Sequence, residues 1–365
     1  MSVDQSDASQ ACKPQTAPLL ARAAAAAVRS DVHLASAIQD FFLAEGDRLD
    51  DRTRAATAAT LRAILHSIAH DLTGHAAEQL AGHAVEPCTA ALPRHAAAGA
   101  LVHRLYASGL LRDRGLMEEL FAQARQDILS DALLVNRAPG ATPSFLPALS
   151  AGSDEGLADA AIAYLHAENA RRAGGRSDVP GPLRERLTWW AAAVLREKWS
   201  GGSSGRIAID RAIAGAAQHS ISAYRDDDRL EAIADRLAAL LRPGAAELSE
   251  RLVQSLEEGH LALFVALLAQ VLAVDAREIR ALLLDPAGEQ LSLALRAAGL
   301  DRAAIARVGF LLTEADPRRD IEAFADTLDV VAMIAPEEAL EGLALLTLPT
   351  DFRAAVRALD RAVAR

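Results

Sequence analysis

The sequence is poor in cysteine, lysine and aromatic residues, and these shortages exclude several kinds of site. The two cysteines, Cys12 and Cys88, have no spacing that suggests a disulfide framework or a thiolate metal site. Only two residues, Lys13 and Lys198, are lysine, so arginine carries almost all of the positive charge. A reducing, cytoplasmic location is the simplest prediction for such a chain.

Long apolar runs and an excess of positive charge are also missing. The most apolar run, 261–274, is well short of the roughly 20 residues that cross a bilayer, so no membrane span is predicted. With 49 acidic and 38 basic residues the chain has a formal net charge of −11, which would repel a phosphate backbone. Nucleic acid is therefore not an expected partner.

Helical spacing of apolar residues dominates what is present, and no segment shows the alternating pattern of a strand. Between Phe264 and Leu272 the apolar side chains follow the i, i+3, i+4, i+7, i+8 spacing of one helix face. Helix-start and helix-stop residues separate short segments of this kind, namely Asp275, Asp285–Pro286, Gly299–Asp301, Asp316–Pro317 and Pro336. The sequence therefore predicts an all-α fold, a multi-helix array of short antiparallel helices of the α-solenoid or helical-repeat type.

Composition divides the predicted array into two helical parts. Residues 1–17 lack the basic start and apolar stretch of a secretory signal and are predicted to be a disordered tail. Residues 18–135 form an alanine-rich helical domain, and residues 153–365 form a second helical domain. The segment 136–152, which contains three prolines and two glycines, is predicted to be the linker between them.

The most distinctive aromatic and basic cluster lies on one predicted helix, 183–199. Trp189, Trp190 and Trp199 occur there beside Arg186 and Arg196. Neighbouring residues point about 100° apart on a helix, so at most one of the adjacent tryptophans can be central to a narrow core stripe. Core anchoring, contact with a partner protein and contact with a membrane surface stay open, and the cluster is a candidate partner-binding site because tryptophan and arginine are typical of binding hot spots.

Histidines supply a weak candidate for metal binding. His66 and His70 have the i, i+4 spacing that places two imidazoles on one helix face. The glutamate of the H-E-x-x-H zinc motif is absent between them, so exposed or hydrogen-bonded histidines are the alternative interpretation. No cofactor is predicted.

Two further patterns resemble catalytic or ion-binding motifs without their context. Residues 201–205 match G-x-S-x-G, but no strand precedes them, so a flexible loop is predicted and no catalytic residue is assigned. The run 226–228 consists of three aspartates that lack the spacing of a calcium loop and are predicted to cap the next helix. Glu257 and Glu258 are predicted to form a solvated helix end.

Three segments resemble a known bacterial family. LVQSLEEGHLALF (252–264), ALLLDPAG (281–288) and RAAGL (296–300) are similar to uncharacterised proteins grouped as Domain of Unknown Function 2336. The resemblance covers mainly 206–312, and the residues on which it depends are Gly259, Phe264, Asp285, Gly288, Arg296, Gly299 and Leu300. It implies an all-helical cytoplasmic protein with no assigned activity, in which Arg296, if exposed, is the one matched residue able to face a ligand.

These observations favour a non-enzymatic helical scaffold or regulatory protein that binds a protein partner through an exposed helical surface. Self-association into a homo-oligomer is compatible with such a surface. The alternative is a small-ligand or metal-binding sensor or enzyme with a pocket between the two helical domains, involving His66, His70 or the tryptophan helix.

Overall fold

The computed structural model describes residues 49–81, 97–137, 144–173, 179–198 and 203–349, together with 352–353, 355–356 and 359. The predicted tail, 1–17, lies outside the described residues. Within the described ranges the chain forms fifteen α-helices, three short 3₁₀ helices and no β-strand. The prediction of an all-α fold is confirmed, and the solenoid arrangement stays a prediction.

The helices follow one another with short connections. In chain order they are α1 (Asp51–Ala81), α2 (Ala97–Ala107), α3 (Arg114–Asn136), α4 (Phe145–Ser150), α5 (Glu155–Arg172), α6 (Gly181–Lys198), α7 (Ser203–Ala223), α8 (Leu230–Leu241), α9 (Ala245–Glu257), α10 (Leu261–Leu272), α11 (Ala276–Leu284), α12 (Glu289–Ala297), α13 (Arg302–Ala315), α14 (Ile321–Met333) and α15 (Pro336–Gly342). None of these described helices is long and apolar enough to span a membrane.

Aspartate caps begin many of these helices. Asp275 accepts a hydrogen bond from the backbone N–H of Arg277 at 2.8 Å, and Asp301 accepts one from Ala304 at 2.8 Å, so both predicted caps are confirmed. Pro336 occupies the first turn of α15, as predicted. Gly259 and Gly299 adopt positive φ values, 69° and 87°, which suits their predicted role as helix stops.

Three predicted helix starts are wrong. Asp285 and Asp316 each end the preceding helix, because a residue before proline is driven into an extended conformation. The next helices begin later, at Glu289 and Ile321. Asp226–Asp228 forms a 3₁₀ helix of its own, and Asp226 accepts hydrogen bonds from the Gly181 N–H instead of capping α8.

The larger hydrophobic core surrounds α10. Nearly every residue of this helix is buried, and it packs against α8, α9, α11 and α12. The same core receives Leu129 and Leu133 from the second half of α3 and extends to Leu346. A helix that is apolar on all sides is expected to be central, so the composition of α10 explains its position.

A smaller core is built from α1, α2, α6, α7 and the first half of α3. It contains Leu65, Leu105, Leu120 and Leu187, among other residues. Helix α3 therefore contributes to both cores, and the smaller core combines helices from both sides of the predicted linker 136–152. That segment also contains α4, whose Phe145 is buried in the larger core, and the division into two domains stays a prediction.

Candidate functional site

Helix α6 buries one face and exposes the other. Leu187, Ala191 and Leu195 pack in the smaller core. Trp189 is 39% exposed and lies on the opposite side, at helical spacing from the exposed Arg186 and Arg196. An indole with this much exposed area is a suitable anchor for a binding partner.

The adjacent tryptophans divide between the two faces. Trp190 is partly buried and packs against the smaller core, whereas Trp189 faces outward. This is the result expected for neighbours that point about 100° apart. Trp199, the third residue of the cluster, lies outside the described residues.

Ion pairs surround the exposed part of α6. Arg186 donates to Asp113 at 2.5 Å, and Arg196 donates two hydrogen bonds to Asp210, at 2.6 and 3.0 Å. The hydrogen bond from Arg196 holds the pKa of Asp210 below its usual value, so this carboxylate is charged. Arg104 of α2 makes a similar two-bond pair with Glu197.

Because each of the three ion pairs is solvent-exposed, each adds little stability, but together they form a charge-balanced border beside Trp189. We call this surface the α6 face; it comprises Arg186, Trp189, Arg196, Glu197 and their ion-pair partners.

The other predicted site residues lie elsewhere. His66 and His70 are exposed on α1. In the part of the chain that the structure describes, no three histidine, cysteine, aspartate or glutamate side chains form a group that could hold a metal ion. Ser203 to Gly205 form the first turn of α7, while residues 201–202 lie outside the described ranges.

Arg296 is occupied by contacts within the fold. Its Nε donates to the carbonyl oxygen of Ile334 at 2.7 Å, and Nη1 donates to that of Leu300 at 3.3 Å. The side chain therefore ties α12 to the end of α14 and to the turn before α13. Arg296 therefore has a structural role in this fold.

A buried network of arginine and carboxylate groups joins α3, α5, α8 and α11. Arg280 of α11 donates two hydrogen bonds to Glu119 of α3, at 3.0 and 2.5 Å, and only 7% of each residue is exposed. Arg229 lies 3.9 Å from Glu119 and 3.2 Å from Glu231. Arg171 of α5 completes the chain, 2.7 Å from Glu231 and 2.8 Å from Asp127.

Glu231 and Arg171, at the centre of this network, stay charged. Burial would raise the pKa of Glu231, but Arg171, Arg229 and Arg280 outweigh burial and lower it to about 2. Burial would likewise lower the pKa of Arg171, yet Asp127 and Glu231 raise it above its usual value. No sequence pattern indicates this network, because its members are separated by up to 161 positions and follow no local spacing.

Two cavities flank the network. The larger, of about 500 Å³, lies between α3, α5 and α8, and its wall includes Ala163, Ala167, Ala170, Arg171 and Glu231. The smaller, of about 230 Å³, lies between α3, α8, α10 and α11. Glu231 lines both cavities, so the buried charges form the partition between them.

A second buried polar cluster centres on His260. Its Nδ1 lies 2.7 Å from Glu168 Oε2, and its Nε2 lies 3.3 Å from Glu258 Oε2. The hydroxyls of Tyr164 and Ser144 donate to Glu168 and Glu258 at 3.0 and 2.5 Å. The cluster ties α4 and α5 to the junction of α9 and α10.

The prediction of a solvated helix end is wrong for Glu258. Only 4% of this residue is exposed. The positive φ of Gly259 turns the chain at this point, and the Glu258 carboxylate meets Ser144 and His260. Glu257, in contrast, forms an ion pair with the exposed Arg307, whose Nη2 lies 2.5 Å from Glu257 Oε1.

Comparison with known proteins places the chain in a family. The model of the family described as an uncharacterised protein conserved in bacteria, DUF2336, matches residues 152–344, which is more than half of the chain. The chain belongs to DUF2336. No curated protein and no solved structure matches it.

The DUF2336 region extends the resemblance beyond 206–312 on both sides. It contains α5 to α15, and with them Trp189 of the α6 face, Glu231, and His260 with its two carboxylate partners Glu168 and Glu258. Helix α3 precedes the matched region, so Glu119 and the α3 walls of both cavities are supplied by the chain outside it.

Proposed function

We propose that this DUF2336 protein is a non-enzymatic scaffold or regulatory protein that binds a partner protein through the α6 face. The single observation that supports this function is the exposure of Trp189 beside three ion pairs. Binding sites are commonly centred on a large aromatic side chain, with polar groups at the rim that exclude water.

The ion pairs hold the arginine side chains of the α6 face in place before a partner binds. Arg186 and Arg196 are each held by an aspartate, so their side chains lose less conformational freedom when a partner docks than free arginines would. Trp189 offers a large apolar area with few rotatable bonds. A partner that covers Trp189 therefore gains apolar burial without having to separate the neighbouring charges.

Site-specific photo-crosslinking tests this function. A photoreactive phenylalanine analogue in place of the exposed Ala193, one turn from Trp189 on α6, should yield one saturable crosslinked protein from native cells, and the Trp189→Ala protein should lose at least about tenfold in affinity for it. Phe310→Ala is the matched control, because Phe310 is 50% exposed on α13 and should leave affinity unchanged. Equal binding by the Trp189→Ala protein, or no saturable partner, would contradict the proposal.

A second candidate function, a small-ligand sensor, is supported by the larger cavity. Its walls come from α3, α5 and α8, and neither His66, His70 nor a residue of α6 lines it. A thermal-shift screen of metabolites tests this function, since a ligand that binds the folded state raises the melting temperature. Ala167→Phe would fill the cavity and should abolish any shift; a shift that persists in that variant would place the ligand elsewhere.

A further inference from the structure

We propose that the smaller cavity, between α3, α8, α10 and α11, is a binding site for a small organic cation, a protonated primary amine. This inference is independent of partner binding at the α6 face and of ligand binding in the larger cavity. It is supported by an unpaired buried acceptor, by the balance of charge around the cavity and by its apolar walls.

The unpaired acceptor is the side-chain amide of Gln126. This residue of α3 lines the cavity and is only 4% exposed. Its Oε1 has no hydrogen-bond partner among the described residues. Because buried polar atoms in folded proteins are nearly always paired, an unpaired oxygen on a cavity wall indicates that a donor occupies the cavity.

The charge around the cavity favours a cation. Four carboxylates line it, those of Glu119, Glu231, Asp235 and Asp275, and the guanidinium groups are those of Arg229, Arg277 and Arg280. Arg280 is held by Glu119, and Arg229 lies 3.2 Å from Glu231. Asp235 is an exposed residue on the wall of the cavity, and its carboxylate has no ion pair or hydrogen bond within the described part of the chain.

Asp235 shows the effect of this imbalance. Burial raises its pKa, and the neighbouring charges of Glu231 and Asp275 raise the pKa further, while Arg229 opposes them. A bound ammonium group would relieve this repulsion and would stabilise the ionised carboxylate. An anionic ligand would meet the same excess of negative charge and is disfavoured.

The remaining walls and one unpaired donor define the rest of the ligand. Ala232, Ala262, Val265 and Ala276 provide short apolar surfaces that suit an alkyl chain. Arg229 Nε has no hydrogen-bond partner among the described residues, so a hydroxyl oxygen on the ligand would give it an acceptor. Ethanolammonium combines an ammonium group, a short alkyl chain and a hydroxyl, and is therefore the probe of choice.

Calorimetry and NMR titration with ethanolammonium chloride test the site on the full chain at constant ionic strength. We expect saturable binding with chemical-shift changes on α3 and α8, and a loss of about tenfold in affinity in Gln126→Met and in Asp235→Asn, since each removes one charge-assisted hydrogen bond. Sodium acetate at the same concentration should not bind.

Two controls keep the result specific to this cavity. Ala167→Phe, which changes the larger cavity, should leave ethanolammonium affinity unchanged, and thermal unfolding should show that the Gln126→Met protein is folded. The proposal is overturned if no binding is detected at ethanolammonium concentrations up to about 50 mM, since a dissociation constant above this value corresponds to less than about 2 kcal/mol of binding free energy. It is also overturned if acetate binds equally, or if a crystal structure with the amine shows only a water molecule at Gln126.

Discussion

At the scale of single residues, the protonation of the buried His260 makes the stability of the protein depend on pH. Burial alone would lower the pKa of His260, but Glu168 and Glu258 outweigh burial and raise it above its usual value. A raised folded-state pKa stabilises the protein fully below the unfolded pKa of about 6.5, and this contribution is lost as the pH rises through the folded value.

Substitution of His260 should therefore have a pH-dependent cost. We expect His260→Gln to lower the free energy of unfolding by about 3 kcal/mol at pH 6, because two buried carboxylates lose their shared cation. The difference from the unsubstituted protein should shrink as the pH is raised from 6.5 to 9. Urea unfolding at several pH values measures this difference, and a gap that stays constant over the range would show that His260 is neutral in the folded state.

Gly259 provides a second residue-scale prediction. Its φ is 69°, and an added Cβ would lie 2.9 Å from both the Leu134 Cγ and the Ser130 carbonyl oxygen. Gly299 has a φ of 87° but no atom within 4 Å of an added Cβ. We expect Gly259→Ala to cost about 3 kcal/mol and Gly299→Ala about 1 kcal/mol, since only the first adds a clash to backbone strain. Denaturant unfolding of both variants checks the ranking; equal losses would show that backbone strain alone decides the effect.

At the scale of helices, Gly309 permits α13 and α14 to pack closely. An added Cβ would lie 1.8 Å from Phe324 Cζ, so the ring occupies the space above the glycine. Gly309→Ala should lower the free energy of unfolding by about 2 kcal/mol, although alanine favours the helix by about 1 kcal/mol. Thermal or denaturant unfolding measures this change.

A partner substitution and a matched glycine separate the clash from helix propensity. Phe324→Leu combined with Gly309→Ala should recover part of the loss, because a shorter side chain leaves room for the new methyl group. Gly99→Ala on the exposed side of α2 meets no atom within 4 Å and should increase stability by up to about 1 kcal/mol. Failure of Phe324→Leu to rescue Gly309→Ala would exclude the clash as the cause.

Helix starts show how far local signals predict these elements. Asp275, Asp301 and Pro336 were identified correctly because a cap acts on backbone groups two or three residues away. Asp285 and Asp316 were misassigned, since the same Asp-Pro pair that can open a helix also prevents the aspartate from adopting helical angles. The choice between the two outcomes depends on where the following chain finds its packing partners.

At the scale of the whole molecule, the Arg280–Glu119 pair joins helices that are distant in sequence. Burial opposes the charge on Arg280, but Glu119 outweighs it and raises the pKa of Arg280. We expect Arg280→Met to lower the free energy of unfolding by about 4 kcal/mol, because the buried Glu119 carboxyl group loses its hydrogen-bonded partner and keeps only the more distant Arg229 nearby. Urea unfolding measures the loss.

The double variant tests whether this loss comes from the unpaired charge. Glu119→Leu together with Arg280→Met replaces both charges with apolar side chains and should be closer to the unsubstituted protein than Arg280→Met alone. If the double variant is less stable than the single one, the pair itself contributes net stability and the explanation by an unpaired buried carboxylate is wrong.

The candidate site was predictable in part. The tryptophan and arginine cluster was found from composition, because residues close together on one helix are close in space. Which tryptophan faces outward depended on the placement of α6 against α2 and α7, which buries Leu187 and leaves Trp189 exposed. Glu231 and His260 gave no local signal for their buried pairs, since Arg171 and Glu168 lie far from them in sequence, on another helix. Gln126 gave none because the cavity that it lines is formed by four helices.

The sequence by itself determined the helical class, the helix starts at Asp275, Asp301 and Pro336, and membership of the DUF2336 family, because helix periodicity and capping act within a few residues along the chain. Only the tertiary structure decided which charges are buried, where the two cavities lie and that α3 joins both cores. Burial and ion pairing arise between residues as many as 161 positions apart, and their free energies depend on distance and desolvation in space.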